Sequence, residues 1–405
     1  MSILHNNPKI KTDFLIFYLL WPIIIVPKEI QFVGIAIVLV YLLRKHKLNF
    51  DVLSCFMLAF ITIYLFSIIV NLIGNTYELE RIFATVNTFS IWVCSLFFYL
   101  IFKVIPLDLE HLKKITFINY CILIILWISS MIIYFITKFP RFEILNRELY
   151  YTEWFGNMPV IRFVGFMDYP NLIIMFFMFF YPLFLSYLKY LKNYTFRILL
   201  MILGILPIIG SFSRSGYVIM LTYLLIIIIY FTYTKMNRNL FIAISFFSLS
   251  IFILTIFYTN AYNESVSILQ ELLNAREGSN ISRIYLMVES IKITLVESPI
   301  IGMGVKVTSL IGYPLGSHST YVGLFYRTGI AGVILGLPIF VIITLKILFT
   351  RVGIDMTVIK ISILMMPLLF IFEDIDGANW LIIMYFLLVA TIFNKTPNIY
   401  KESRN

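Results

Sequence analysis

Charge is what this sequence has little of. Only 13% of its 405 residues are Asp, Glu, Lys or Arg, and 61% are apolar. Soluble domains carry about 25% charged residues, so a chain this poor in charge cannot cover a globule with polar surface. It reads as a polytopic membrane protein. The apolar runs are long and continuous, not the ~10-residue alternating segments of a barrel, so the expected fold is an all-α transmembrane bundle. Cysteine is scarcer still: Cys55, Cys94 and Cys121 all fall inside apolar runs, which argues against a disulfide framework and against a Cys-based metal site. Also missing are a P-loop, a GxGxxG fingerprint, an HExxH helix, Cys/His ligand spacing and a DxD-type acid pair. What remains, for an enzyme, is metal-independent and cofactor-free chemistry on a donor that arrives already activated. Membrane geometry favours a lipid-linked diphosphate for that donor. No cleavable signal peptide is evident, because the first apolar run leads directly into more membrane.

What is there is a series of apolar runs. A span needs roughly 20 mostly apolar residues. About twelve segments fit by pattern: 12–26, 30–43, 51–73, 82–104, 115–137, 170–188, 196–211, 216–234, 239–258, 319–345, 358–373 and 378–394. The first two are short and split by Pro27-Lys28-Glu29, so one re-entrant hairpin is the alternative. With the N-terminus inside, the inner loops and ends collect 19 of the 31 basic residues against roughly six acids, as the positive-inside rule requires. Both termini are then cytoplasmic. The net charge of +10 is largely a topological signal, not a nucleic-acid surface. In this placement every long polar connection faces outward. The expected organisation is membrane helices over 1–258, including an outer loop at 138–169, a large extracytoplasmic loop at 259–318, and further helices with a cytoplasmic tail over 319–405.

The candidate chemistry lies on that outer face. Of four histidines only His318 faces outward, between Gly316-Ser317 and Ser319-Thr320 at the head of a span. An imidazole there is a general base or donor, or else a loop side chain with an ordinary local hydrogen bond. Arg214 sits in a short Ser/Gly-rich break between two spans. Arg283 opens Ile281–Glu297, where Ile284, Tyr285, Val288, Ile291 and Leu295 fall at helical spacing, the mark of an amphipathic helix lying on the outer surface. Arg162 precedes Pro170-Asn171. Guanidinium forks suit phosphate and diphosphate, although single interfacial arginines are ordinarily anchors. Arg327 lies within a span. Nine residues separate it from His318, half a turn out of phase on a continuous helix, so the two side chains point to opposite sides. Asp168 is a candidate for sugar hydroxyls. Glu373-Asp374-Ile375-Asp376 reads as a solvated turn, and Trp154, Tyr150, Tyr151 and Trp380 read as interface aromatics.

Four separated motifs carry a family resemblance: Arg162-Phe163-Val164-Gly165 with Pro170-Asn171; Ser213-Arg214-Ser215-Gly216; Ser282-Arg283 followed by Pro299 and Gly302-Met303-Gly304; and His318-Ser319 followed by Gly329-Ile330-Ala331-Gly332. In order and spacing the chain resembles the O-antigen polymerase and ligase superfamily of bacterial envelope glycosyltransferases. It departs from the pattern at Ser319, where Asn is more usual, and at Met287, where an aromatic is. The resemblance implies an inner-membrane enzyme acting on the outer leaflet. It would take a glycan from undecaprenyl diphosphate and join it, with inversion and without metal, to an acceptor hydroxyl. His318, Arg283 and Arg214 would be catalytic, and Arg162, Arg327, Gly302, Gly304 and Asp168 would bind substrate. Partners would be the lipid-linked donor and acceptor, membrane lipid, a flippase and a chain-length regulator. A repeat-unit polymerase making O-antigen, capsule or exopolysaccharide is the first expectation. A ligase capping lipid A-core or a protein is the second. A lipid-linked oligosaccharide transporter is the third, disfavoured because charge clusters at one face and no matched halves stand out.

Overall fold

The computed structural model describes residues 12–155, 158–237 and 277–394, with six isolated positions between 239 and 254. The expected span 239–258, the first part of the large loop, His5 and the tail from Lys395 therefore lie wholly or largely outside the described residues. The expected all-α membrane bundle is what the chain forms. In order the helices are α1 (Leu15–Tyr18), α2 (Leu20–Ile25), α3 (Lys28–Lys45), α4 (Val52–Gly74), α5 (Leu79–Phe102), α6 (Leu109–Thr137), α7 (Leu172–Leu188), α8 (Tyr194–Ser211), α9 (Arg214–Lys235), α10 (Glu277–Glu297), α11 (Thr320–Phe349), α12 (Ile354–Leu369) and α13 (Asn379–Phe393).

Six of these, α4, α5, α6, α8, α9 and α11, are long and apolar enough to cross a membrane. The expected first span is instead two short helices that meet at Leu19. α13 has only 15 residues, all buried, and would extend roughly 22 Å against a hydrocarbon core of about 30 Å. It is an interior helix wrapped by the others, and its Trp380, expected at an interface, is core packing against Phe176.

The helix ends sort the charges into two groups. At one end Lys113 and Lys189 meet Asp355, Lys45 and His46 meet Asp13, and Lys103 meets Asp51. At the other end stand the heads of α3, α5, α7, α9 and α11 with the long connections. One of those connections departs from the all-helical expectation. Residues of the 138–169 loop form an antiparallel meander of β1 (Arg141–Ile144), β2 (Arg147–Phe155) and β3 (Met158–Phe163). Leu145 and Asn146, between β1 and β2, both have left-handed backbone (φ 52° and 61°), the pattern of a two-residue hairpin turn. Arg147 fastens the sheet to the α2–α3 corner, donating to the Val26 carbonyl at 3.3 Å and to Asp168 at 2.8 Å.

The glycine motifs build a second local structure. α11 breaks at Gly329 (φ 60°, ψ −158°), and the segment after α10 inserts into that break. Met303 and Gly304 donate their amides to the carbonyls of Tyr326 and Arg327 at 2.7 and 3.0 Å, while Ile330 and Ala331 donate to those of Pro299 and Ile300 at 2.9 and 3.0 Å. Backbone groups freed inside a membrane helix need such partners. A Cβ on Gly302 would stand 2.4 Å from the amide nitrogens of Thr328 and Gly329, and one on Gly304 would stand 2.7 Å from the Ser67 carbonyl. Only glycine lets the two backbones approach this closely.

Candidate active site

At the end of the bundle that carries the sheet, a cavity of about 790 Å³ opens between the sheet, the heads of α3, α5 and α7, α10 and the 302–318 segment. Its floor is the run Glu373–Asn379 between α12 and α13. This run corrects the expectation of a solvated turn. Glu373 and Asp374 are 1% and 4% exposed, and each acid is met by a cation. Lys306 reaches Asp374 at 2.7 Å, and Arg327 pairs with Asp376.

Glu373 is where the separated motifs converge. Its Oε1 accepts from Asn171 at 2.8 Å and from the Ser215 hydroxyl at 3.1 Å, and it stands 3.6 Å from Arg283. Asn171 in turn accepts from Arg162 at 3.1 Å. Burial pushes the Glu373 carboxyl above its ordinary range, opposed by Arg283 and by the hydrogen bonds from Ser215 and Asn171. For Asp374 burial also pushes upward, but Lys306 and Arg327 outweigh it and hold the carboxyl below the usual range.

The structure distributes the expected site residues as follows. His318, Arg283, Arg162 and Asp168 line the cavity together. His318 has left-handed backbone (φ 66°), and Ser319 then caps α11. Its ring lies edge-on to Tyr313, centroids 6.4 Å apart, and no hydrogen bond from a described residue occupies its nitrogens. Burial first, then repulsion from Arg283 and Lys306, lower its pKa to about 4, with Asp374 opposing. The imidazole is therefore neutral near pH 7, with a nitrogen lone pair able to accept a proton.

Arg283 is lightly held. Among the described residues it has, besides Glu373, only the Phe372 carbonyl, at 3.4 Å. Arg162 is the opposite, with Ser211, Tyr151, Glu153 and Asn171 all accepting from it at 2.9–3.1 Å. Its cross-strand neighbour is Tyr151, so the sheet register aims it. Asp168 accepts from Lys28 at 2.9 Å and Arg147 at 2.8 Å.

Four expected residues do not line the cavity. Arg214 stands at the head of α9, next to Ser215. Arg327 is fully buried beneath the floor, over the Tyr64 ring at 5.8 Å; His318 precedes α11 and is not part of it, so helical phase does not relate the two. Gly302 and Gly304 are occupied by the α11 break. α10 carries the expected apolar stripe, with Ile284, Val288 and Leu295 more than half exposed, but it is docked through the opposite stripe. Leu286, Ser290 and Thr294 are buried against a small cluster with Met303, Leu315 and Tyr326, and Ser290 accepts the Gly316 amide at 2.7 Å.

Sequence reasoning missed Lys306 and Arg81, and set Glu373 aside as part of a solvated turn. Lys306 carried a weak signal, as a cation two residues beyond Gly304 in the outer loop.

A family model described as O-antigen ligase matches residues 199–337, from α8 to the middle of α11. That match places the chain in the O-antigen ligase and polymerase superfamily of membrane glycan transferases. No curated protein matches it.

Proposed function

With membership of that superfamily as the premise, we propose that the protein polymerises lipid-linked oligosaccharide repeat units on the outer leaflet of a bacterial inner membrane. The donor is a glycan on undecaprenyl diphosphate and the acceptor is a sugar hydroxyl of the next unit. The observation that carries the reading is the side-by-side placement in one cavity of a neutral imidazole with no hydrogen bond from a described residue, His318, and two cations, Arg283 and Lys306. The acceptor oxygen forms a bond to the anomeric carbon as the bond from that carbon to the diphosphate oxygen breaks. The electron pair leaves on the diphosphate, where Arg283 and Lys306 stabilise the growing charge. The hydroxyl proton passes to His318. Attack opposite the leaving group inverts the centre.

Burial, together with the same cations that accept the diphosphate, keeps the empty site's imidazole neutral. An arriving dianion screens them and makes His318 a stronger base when it is needed. The Asn171–Glu373–Ser215 network holds Arg283 near the floor without consuming all its donors.

A second reading, transfer to lipid A-core or to a protein, is favoured by the description of the matched family model as a ligase. Incubating the purified protein with lipid-linked repeat units and sizing the product separates the two. A ladder supports polymerisation, and a single transfer to a different acceptor overturns it.

A further inference from the structure

One face of α5 lines the cavity and takes no part in the transfer just described. Arg81, Ala84, Thr85 and Thr88 all border it, at the i, i+3, i+4, i+7 spacing of one helical stripe. From Arg81 to Thr88 a helix rises about 10 Å, and α5 is one of the membrane-length helices. The cavity thus runs from the head of α5 down its length. Thr85 and Thr88 donate their hydroxyls to the helix's own carbonyls, at 2.9 and 3.0 Å. Below the guanidinium the stripe is therefore small and largely apolar. A charge above and an apolar track below match an anionic lipid.

Arg81 is as lightly committed as Arg283. Its ion pair is with Glu80 at 3.3 Å, a side chain 80% exposed, and such surface pairs contribute little. Its Nε is buried with no hydrogen-bond partner among the described residues, an exception among buried donors. Lys28, another cation of the lining, is half exposed beside Asp168. The floor fixes where this pair sits. Glu373, at one end, faces Arg283. Toward the other end, Asp376 accepts from Trp92 of α5 at 2.9 Å, and Asn379 accepts from Asn87 of α5 at 2.8 Å and donates to the Lys28 carbonyl at 3.1 Å. The cavity thus has two places where a cation has donors to spare, one toward each end of the floor.

We propose that Arg81, with Lys28, forms a second anion subsite that holds the diphosphate of a lipid-linked acceptor, with its apolar chain along Ala84, Thr85 and Thr88. This rests on the polymerase reading, in which donor and acceptor are both lipid diphosphates. The acceptor's attacking hydroxyl is remote from its own lipid, so its diphosphate has to be held away from His318 while its sugar reaches the imidazole. No bond changes at the subsite, which positions the acceptor by charge-assisted hydrogen bonds.

The test counts glycan-free undecaprenyl diphosphate on the purified full-length protein by native mass spectrometry. Two molecules are expected on the wild type, one on Arg81→Ala and one on Arg283→Ala. Arg81→Ala should also raise the half-saturating repeat-unit concentration about tenfold, with Arg81→Lys restoring most of it. If Arg81→Ala does not elute as a single species, Arg81→Gln gives the same reading. Two molecules retained on the Arg81 variant overturn the proposal, as does a wild type that binds one molecule lost only with Arg283. A parallel titration uses phosphatidylglycerol, which carries one phosphate. If it fills the Arg81-dependent position and undecaprenyl diphosphate does not displace it, the position is a general anionic-lipid site and the proposal fails. A laddering enzyme with a single diphosphate position sinks the subsite alone, whereas single transfer to an unrelated acceptor sinks the polymerase reading and the subsite with it.

Discussion

Two walls of the cavity present the same residue type for different ends. On the α10 side, Arg283 has two long contacts, at 3.4 and 3.6 Å, and the His318 ring has no hydrogen bond among the described residues. On the sheet side, Arg162 and Arg147 are less than one-tenth exposed, and between them they donate to Val26, Tyr151, Glu153, Asp168, Asn171 and Ser211. An arginine with all its partners in place is architecture, because a buried guanidinium is tolerated only when it is matched. An arginine with spare donors beside a cavity is free to meet a ligand. The region matched by the family model, 199–337, contains Arg283, Lys306 and His318. The sheet-side arginines lie outside it.

This contrast can be broken or sharpened by substitution. The largest effect is expected from His318→Ala, which should slow single-turnover transfer by about 10³, within the 10²–10⁴ typical of a positioned base. Protein level and elution profile should stay as in the wild type, and a variant that still makes full-length polymer would remove His318 from the chemistry. Arg283→Ala should cost about 10² in the same assay, in line with losing one charge-stabilising donor, with little change in melting temperature. Arg162→Ala should behave the other way. It strips partners from Glu153 and Asn171, so the loss falls on stability, about 3 kcal/mol, read as a drop in thermal midpoint in detergent. Activity per folded molecule should fall less than tenfold. Equal losses of activity in the two arginine variants would erase the distinction between the walls.

The smallest effect concerns pH. His318 has its pKa lowered to about 4 by burial, Arg283 and Lys306, below the ordinary value near 6.5. The unfolded chain therefore binds the proton more readily between those values. The resulting contribution to stability is intact above about pH 6.5 and is lost as pH falls toward about 4. For the empty enzyme the acid limb of kcat/KM should lie below that of free imidazole. Lys306→Met should move it upward, toward 6.5. A limb that stays in place would mean that a different group titrates.

The sequence made part of this site legible and hid the rest for identifiable reasons. His318 and Arg283 stood out because they were polar residues in an outward loop beside glycine breaks. Glu373 was hidden because a run of three acids in four residues resembles solvent-facing turn chemistry, and only its partners reveal it as buried. Gly302 and Gly304 were expected from the family resemblance to bind substrate; what lies against them is backbone of neighbouring helices, Thr328 and Gly329 for Gly302 and Ser67 for Gly304. The β meander was missed because Leu145-Asn146 is not a favoured hairpin dipeptide and because β2 shows no clean apolar alternation. Arg81 carried no signal at all, since a lone arginine at the head of a span is ordinarily an anchor.

The chain's own pattern determined that this is a helical membrane protein, that its charges divide between two ends, and which few residues were candidates for the chemistry. Apolar content, run length and helical phase are local properties, so they can be read from the order of residues. Which arginines are spent and which are free was decided only by tertiary structure. That depends on partners contributed from positions as far apart as Lys28, Asn171, Ser215 and Glu373, and no spacing rule along the chain brings those together.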